Sequence, residues 1–267
     1  PQFFNSVGHL LINNVVLEIG GQEICKQTGE WMEIWSQLSY DEAKQLGFKY
    51  MIGRVNNDNI QTYNDKPRGP LFLQIPLQFW FCRNPGLALP LVALQYHEVK
   101  LKITFASASS GAETLSNTNT KLWCEYIYLD TDERRRFAQI PHEYLIEQTQ
   151  RVHNNTIASS YTDSIYSASL SINHPVKELI WYIQNSSLTD ESRFNFKRYE
   201  GILSQSSSEY DQISTGQLKL NGHNRHAERN ADHFRLTQRY EHHSGVGMKT
   251  QGTHDTSREQ SFTSIAH

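Results

Sequence analysis

A run of acids and bases in the middle of the chain is the first candidate for chemistry. Three acidic residues directly precede three arginines there, and the six are Asp130, Asp132, Glu133, Arg134, Arg135 and Arg136. Two carboxylates can act as general acid and base when a pocket gives them different environments. This run is polar, and acids ahead of bases behind an N-capping Asp130 favour a short solvated helix. We expect the run to be structural rather than catalytic.

A group of histidines near the end of the chain is the second candidate, because imidazole is a common metal ligand. Its members are His223, His226, His233, His242 and His243. No cysteine or carboxylate arrangement completes a tetrahedral site around them. Cys25, Cys82 and Cys124 lie far apart without a CxxC pair, which predicts neither a zinc knuckle nor a disulfide framework. We expect the histidines to be solvated or to lie at the end of a β-barrel, without a metal, and we expect a reducing compartment.

Other catalytic and binding patterns are missing from the sequence. It contains no GxSxG, Walker loop, HExxH or GxGxxG, so hydrolase and nucleotide chemistry lack a motif. Lys+Arg 25 against Asp+Glu 28 give a formal net charge of −3, which disfavours direct binding of nucleic acid. The longest apolar stretch, Leu87–Leu94, is about eight residues, well short of the roughly 20 that span a bilayer. We therefore expect a protein that is not an enzyme and needs no cofactor.

Three further features are candidates for a subunit contact, a sugar-binding surface and a glycosylation site. Arg83 and Asn84 open a turn before a Pro-Gly pair, which fits a backbone role and a subunit contact equally well. The five tryptophans suggest a sugar-stacking platform, but four of them lie in apolar patterns, which favours core packing. Asn154 and Asn185 begin glycosylation sequons and are weak candidates, since sequons in a cytoplasmic protein usually stay unmodified.

The elements that position these residues are mostly predicted β-strands. Leu10–Ile19 is rich in branched residues and precedes Gly20-Gly21, which predicts a hairpin turn and a returning strand through Glu23–Lys26. Apolar residues then recur at the spacing of one helix face, which predicts a short helix. They are Trp31, Ile34, Trp35 and Leu38.

Further strands are predicted on both sides of the acid and base run. Val99–Phe105 alternates apolar and polar residues most clearly. Lys121–Leu129 is also predicted as a strand, whose two faces carry Leu122, Cys124, Tyr126 and Tyr128 on one side and Trp123, Glu125 and Ile127 on the other. Leu71–Phe81 is predicted as an edge strand or bulge, because Pro76 cannot donate to a ladder. Strands in the second half are predicted at residues Tyr166–Ile172, Leu179–Ile183 and Gln217–Leu220. Polar composition predicts surface loops at residues 53–70 and 107–120.

A similar sequence pattern occurs once in each half of the chain. Leu17–Gln22 and Leu218–His223 are each a strand followed by a glycine turn, at an offset of about 201 residues, which suggests a duplicated unit. The second unit has roughly 70 residues before its hairpin and the first has about 14, so we expect about 50 to 60 residues to be missing from the front. Few apolar residues follow His243, and we expect the second unit to be unclosed.

Four longer stretches closely resemble the major capsid proteins of nucleocytoplasmic large DNA viruses, of the iridovirus, phycodnavirus and mimivirus type. They are GGQEICKQTGEWMEIW at 20–35, FCRNPGLALPLVALQYHEVKL at 81–101, YLDTDERRRFAQIPHEYLIEQ at 128–148 and LKLNGHNRHAERNADHFRL at 218–236. The resemblance covers nearly everything from Asn14 to His243.

The resemblance implies an all-β double jelly roll, two β-sandwich domains side by side, incomplete at both ends. Residues 1–129 would form the first jelly roll without its N-terminal strands, and residues 130–141 a short helical connector. Residues 142–267 would form the second, with its C-terminal strands absent or replaced. Three copies would make a pseudo-hexagonal capsomer, and capsomers would tile an icosahedral shell over an internal lipid membrane.

The same resemblance implies partners and a location. The partners would be the chain itself as a homotrimer, neighbouring capsomers and minor capsid proteins, with the internal viral membrane contacted only indirectly. The protein would lie in the virion capsid after assembly in the host cytoplasm. Interdomain or intersubunit contacts are expected from Arg83, Asn84 and the six charged residues between positions 130 and 136. If the arginines are buried in such a contact, their bidentate pairs would set register more than net stability.

Three alternatives stay open. The first is a scaffold protein of the same double-jelly-roll fold, which shapes a membrane during virion assembly. The second is a carbohydrate-binding β-sandwich that mediates attachment, and coplanar exposed tryptophans would favour it. The third is a relic inserted in a host genome.

Overall fold

The computed structural model describes residues 6–53, 72–106, 120–152, 165–183, 194, 213–244 and 263–266. Both glycosylation candidates, Asn154 and Asn185, lie outside these residues. So do nearly all of the two predicted surface loops at 53–70 and 107–120. Among the helices in the described ranges, none combines the length and apolar character needed to cross a bilayer.

The chain divides into two compact units. Unit 1 contains the described parts of Gly8–Met32 and Gln74–Gln150. Unit 2 contains those of Glu33–Leu73 and Arg151–His267, together with residues 6–7. The predicted domain boundaries around residues 129 and 141 remain a prediction.

Unit 1 is built on a three-stranded antiparallel sheet. Its strands are β1 (Ile12–Ile19), β2 (Gln22–Thr28) and β3 (Val99–Phe105), in the order β2-β1-β3. The β1–β2 hairpin closes through Gly20 and Gly21, whose φ angles of 61° and 82° are both positive. Glycine adopts these angles without steric cost, which confirms the predicted two-residue turn.

The core of unit 1 lies on one face of this sheet. Alternate residues of β3 are half-buried and exposed, as the alternation of Val99–Phe105 predicts. The central strand β1 contributes Val15 and Leu17, both fully buried. Burying one such aliphatic side chain contributes about 1.5–3 kcal/mol to folding. The buried cluster consists of Ile12, Val15, Leu17, Cys25, Met32, Phe79 and Trp80.

Short helices flank the sheet in sequence. They are α1 (Val7–Leu11), α2 (Gly29–Ser39), α3 (Glu42–Met51), α4 (Trp80–Arg83) and α5 (Thr131–Gln139), with a 3₁₀ turn at Pro85–Leu87. α2 confirms the helix predicted from the apolar spacing around Trp31 and Leu38. α3 is capped by Asp41, whose carboxylate accepts a hydrogen bond from the backbone N–H of Lys44 at 3.1 Å.

In its described residues, unit 2 contains the second half of α2, the helix α3, three two-stranded ladders and a further helical segment. The ladders pair β4 (Glu178–Trp181) with β9 (Thr263–Ala266), β5 (Thr215–Gly216) with β8 (Arg229–Asn230), and β6 (Lys219–Leu220) with β7 (His223–Asn224). Asn221 and Gly222, with φ angles of 51° and 81°, form the predicted Asn-Gly turn between β6 and β7. A π-helical turn at His233–Thr237 continues into α6 (Gln238–His242).

Three segments that were expected to be strands are not strands in the structure. Residues 72–79 have no regular structure and α4 begins at Trp80, because Pro76 removes a ladder donor and Phe79 and Trp80 turn into the core. Described residues 120–129 and 165–173 likewise belong to no strand. A strand forms only when a neighbour pairs with its backbone, and side-chain alternation does not reveal whether that neighbour is present.

Candidate assembly surface

Arg83, at the end of α4, forms an ion pair within unit 1. Its Nη2 atom lies 2.7 Å from the Oε2 atom of Glu147, and the two side chains are 27% and 38% exposed. The next residue, Gln148, donates a hydrogen bond from Nε2 to the backbone oxygen of Ile24 in β2, at 2.6 Å. These two contacts tie residues 147–148 to α4 and to the edge strand of the sheet.

Asn84 organises the turn that follows α4. Its Oδ1 atom accepts a hydrogen bond from the backbone N–H of Gly86 at 2.9 Å, and the residue caps the 3₁₀ turn at Pro85–Leu87. The backbone role that the sequence suggested for Asn84 is therefore present. A subunit contact through Arg83 or Asn84 stays a prediction.

Two of the three acids in the 130–136 run, Asp130 and Glu133, cap a helix. Asp130 Oδ1 accepts a hydrogen bond from the Glu133 backbone N–H at 2.8 Å, and the Glu133 carboxylate accepts one from the Asp130 N–H at 3.4 Å. This reciprocal capping box starts α5. Asp132 lies 3.9 Å from Arg135 across the helix surface, and both side chains are mostly exposed. The predicted short solvated helix is confirmed.

The arginines of α5 face solvent in this chain. None of the residues of α5 is buried, and Arg134, Arg135 and Arg136 are all exposed. A guanidinium presents several donors in a fixed plane and is weakly hydrated, which suits it to protein interfaces. α5 therefore offers three adjacent cations on a helix of defined geometry.

An exposed apolar segment directly precedes α5 in unit 1. We call it the 122–128 segment, and its large exposed side chains are Leu122, Trp123, Tyr126, Ile127 and Tyr128. Trp123 is 88% exposed and Tyr128 is 92% exposed. Contiguous exposed apolar surface marks an interaction site, and Trp, Tyr and Arg dominate the energetics of interfaces. The sequence pattern predicts a strand at these residues and does not predict an exposed surface.

The exposure of the five tryptophans differs from that expected of a sugar-stacking platform, in which several would face solvent. Trp80 is buried in the core of unit 1, and Trp31, Trp35 and Trp181 are half-buried. Core packing, as predicted for four of the five, accounts for these. Trp123 is the exposed exception, at 88%.

In unit 2, α6 packs against the second half of α2 through polar contacts. Arg239 donates from Nη2 to the backbone oxygen of Gln37 at 2.7 Å, and burial lowers the pKa of Arg239 to about 10, so the guanidinium stays charged at neutral pH. His243 contacts the Glu178 carboxylate through Nε2 at 2.5 Å and meets the ring of Trp35 edge-on at 6.2 Å. One of the candidate metal ligands, His243, is therefore engaged with a carboxylate and an aromatic ring.

The cysteines and remaining histidines do not converge on a metal site in the part of the chain that the structure describes. No group of three or more His, Cys, Asp or Glu side chains there could hold an ion. Cys25 is buried among the core residues of unit 1, and burial raises the pKa of its thiol. Hydrogen bonds with Thr149 act in the opposite direction.

Comparison with known families matches almost the whole chain. A family model described as the major capsid protein N-terminus matches residues 2–130. A second, described as the large eukaryotic DNA virus major capsid protein, matches residues 133–254. The two matches are adjacent and do not overlap.

Individual relatives show the same similarity. The chain is 42% identical over 250 residues to a major capsid protein of Pyramimonas orientalis virus, covering 92% of this chain and 57% of the relative. It is 34% identical over 262 residues to the major capsid protein of Paramecium bursaria Chlorella virus 1, covering 88% and 58%. The chain therefore spans less than two thirds of the length of these relatives.

A solved structure matches the fold. The structure resembles a chain of the quasi-atomic model of the PBCV-1 virus capsid with a TM-score of 0.74 and 29% sequence identity. That match covers 98% of this chain and 66% of the other.

Proposed function

The chain belongs to the major capsid protein family of large eukaryotic DNA viruses, and from this premise we propose that it is a structural subunit of a viral shell. The observation that carries the proposal is the agreement with a chain of the PBCV-1 capsid over 98% of this chain. Curated relatives from several such viruses are named as capsid proteins, which supports the same role.

The proposed fold is a double jelly roll, with residues 1–129 and 142–267 in its two β-sandwiches and residues 130–141 as connector. The two family models meet between residues 130 and 133, which supports a boundary at the start of α5. The capped, solvated α5 suits a connector, because its hydrogen bonds are satisfied locally and need no neighbouring strand.

The proposed mechanism is geometric. Three copies form a pseudo-hexagonal capsomer, and capsomers tile an icosahedral shell. An interface of roughly 1,600 Å², repeated around a closed ring, gives cooperative stability even when each contact is modest. The formal net charge of −3 suits dense packing of identical subunits, because strong like charge would oppose it.

Contacts between subunits are proposed at Arg83, Asn84 and the exposed charges of α5. The side chains of α5 are not buried in this chain, so Arg134, Arg135 and Arg136 can form paired hydrogen bonds with carboxylates of a neighbour. Neighbouring capsomers and minor capsid proteins are the further partners, and an internal membrane is contacted only indirectly. The proposed location is the virion, after assembly in the host cytoplasm.

The scaffold alternative shares the fold and differs in being shed during assembly. The carbohydrate-binding alternative needs several coplanar exposed tryptophans, and Trp123 is the exposed one of the five. Since the other four are buried or half-buried, the distribution of tryptophans gives the sugar-binding hypothesis little support.

Electron microscopy of the protein expressed from its complete reading frame tests the proposal. We expect uniform particles with a hexagonal outline and three-fold symmetry. Particles without three-fold symmetry, or a protein that stays monomeric and binds glycans on an array, would contradict it. A lattice that is absent from purified virions but present on assembly intermediates would support the scaffold alternative instead.

A further inference from the structure

We propose that residues 239–244, which we call the 239–244 clasp, supply the C-terminal cap of α2 and hold that helix to the second half of the chain. All the contacts that carry the inference lie within unit 2. They lie inside one chain, so the inference goes beyond the proposed capsid function and does not depend on it.

The C-terminal end of α2 has little local capping. The last four carbonyls of an α-helix have no partner within the helix, and a glycine beyond the end or a base in the last turn often satisfies them. α2 ends at Ser39, its last turn holds no basic residue, and Tyr40 stands where a capping glycine is common. The Tyr40 N–H reaches the Ser36 oxygen at 3.3 Å. The carbonyls beyond Ser36 therefore need donors from elsewhere.

The 239–244 clasp donates to two of these carbonyls. Arg239 Nη2 donates to the Gln37 oxygen at 2.7 Å, and the Ser244 hydroxyl donates to the Ser39 oxygen. The donors lie 202 and 205 positions from their acceptors along the chain. Arg239 also places a positive charge at the negative end of the α2 dipole, where a cation is favourable. The clasp thus performs both tasks of a C-terminal cap, which are to satisfy carbonyls and to balance the dipole.

Arg239 is held in a buried position, where it is only 8% exposed. Burial lowers the pKa of Arg239 to about 10, so the guanidinium stays charged at neutral pH. A buried charge needs hydrogen-bond acceptors around it, and the Gln37 oxygen is one of them. Undocking would leave the charge less well satisfied and a helix carbonyl without its donor. Both costs favour the docked clasp.

His243 anchors the clasp to a second element. Its Nε2 atom lies 2.5 Å from the Oε1 atom of Glu178, and the two side chains are 6% and 13% exposed. Its ring meets that of Trp35 edge-on, with the centroids 6.2 Å apart. Because Glu178 begins β4 and Trp35 lies in α2, this one residue contacts both the helix and the β4–β9 ladder. The clasp is therefore fixed to a strand as well as to the helix that it caps.

The clasp joins parts of the chain that match different family models. α2 lies within residues 2–130, and the clasp and Glu178 lie within residues 133–254. Unit 2 nevertheless contains the described residues of both 33–73 and 151–267. Helix ends fray when their terminal groups lose their partners. The last turn of α2 should therefore be stable only while the second half of the chain is docked on it.

Hydrogen exchange on the complete protein tests this dependence. Arg239→Met keeps an unbranched apolar stem and removes the charge and the donors. We expect the amides of residues 36–40 to exchange at least about 10-fold faster than in the natural protein, while those of β1 and β3 stay within about twofold. The matched control is Arg225→Met, since Arg225 is an exposed arginine of the same unit, directly after β7. We expect the control to leave the exchange of residues 36–40 unchanged.

Ser244→Ala is a second variant, which removes one exposed hydroxyl and so spares the fold. We expect it to speed exchange in residues 38–40 by about threefold, because the Ser39 oxygen loses its donor. If Arg239→Met does not fold, Ser244→Ala decides alone. A local acceleration then supports the clasp, and unchanged exchange overturns it.

Three results would overturn the inference when both variants fold. They are unchanged exchange at residues 36–40 in both variants, equal effects of Arg239→Met and Arg225→Met, and acceleration that is as large in β1 and β3 as in α2. The last of these would mean that Arg239 stabilises the whole protein and not the end of α2.

The two proposals fail separately. A complete protein that never forms three-fold particles but shows the local acceleration in α2 retains the clasp and loses the capsid function. Three-fold particles in which α2 exchanges at the same rate in the natural protein and in both variants would retain the function and reject the clasp.

Discussion

The guanidinium of Arg83 and the carboxylate of Glu147 meet at 2.7 Å, although the two residues are 64 positions apart in the chain. The pair joins the end of α4 to the segment that runs beside β2 in unit 1. Both side chains are about one-third exposed, so water and salt screen their attraction.

The first prediction concerns the strength of this pair. Arg83→Ala, Glu147→Ala and the double variant should give a coupling free energy of about 0.5–1 kcal/mol, because partly exposed ion pairs are weak. Urea unfolding at low and high salt measures it, and the coupling should fall at high salt. A coupling above about 3 kcal/mol, unchanged by salt, would mean that the pair is effectively buried.

The second prediction concerns Gly29, the first residue of α2. A Cβ atom there would lie 2.0 Å from the backbone oxygen of His9 and 2.6 Å from that of Ile12. Neither backbone oxygen can move without displacing α1 or β1, so Gly29→Ala should lower the free energy of unfolding by about 2–4 kcal/mol. Chemical denaturation measures the change.

Gly47, in the middle of α3, provides the matched control. A Cβ atom there meets nothing within 4 Å, and alanine favours a helix by about 1 kcal/mol over glycine. Gly47→Ala should therefore leave stability unchanged or raise it. Equal losses for the two substitutions would show that the close approach at Gly29 is not the cause.

The third prediction concerns the cap of α5. Asp130→Ala removes one half of the capping box and should destabilise the helix by about 1 kcal/mol, which is visible as faster amide exchange in residues 131–136. Asp132→Ala is the control, because the Asp132 side chain is 93% exposed and makes only a 3.9 Å contact with Arg135. Equal effects of the two changes would argue against the cap.

The fourth prediction concerns pH and Cys25. Burial raises the pKa of this thiol above its usual value of 9.0, so the folded protein holds the proton to a higher pH than the unfolded chain. The stability that this difference contributes is fully present below about pH 9 and is lost as the pH rises through the folded-state pKa. Free energies of unfolding between neutral and alkaline pH should therefore fall more for the natural protein than for Cys25→Ala. Parallel curves for the two proteins would contradict the assignment.

Local chemistry made part of this fold predictable. The Gly20-Gly21 and Asn221-Gly222 turns follow from the positive φ angles that only such residues adopt easily, and α5 follows from its own capping box. β3 was predictable because its alternation reports a core on one face only. Each of these signals lies within a few residues of the structure that it specifies.

Long-range partners were not predictable from the sequence in the same way. The strand predicted at residues 121–129 is not a strand in the structure, because the side-chain pattern does not state whether a pairing neighbour is present. The Arg83–Glu147 pair joins residues that no local rule connects. The exposure of Trp123 likewise depends on what covers it, which is a property of the whole subunit.

The mass of the complete protein in solution, measured by light scattering after size-exclusion chromatography, tests the central claim most directly. A capsid subunit of this family should give three times the mass of one chain, and that mass should hold over a wide range of concentrations. A mass of one chain at every concentration would contradict the proposed capsomer.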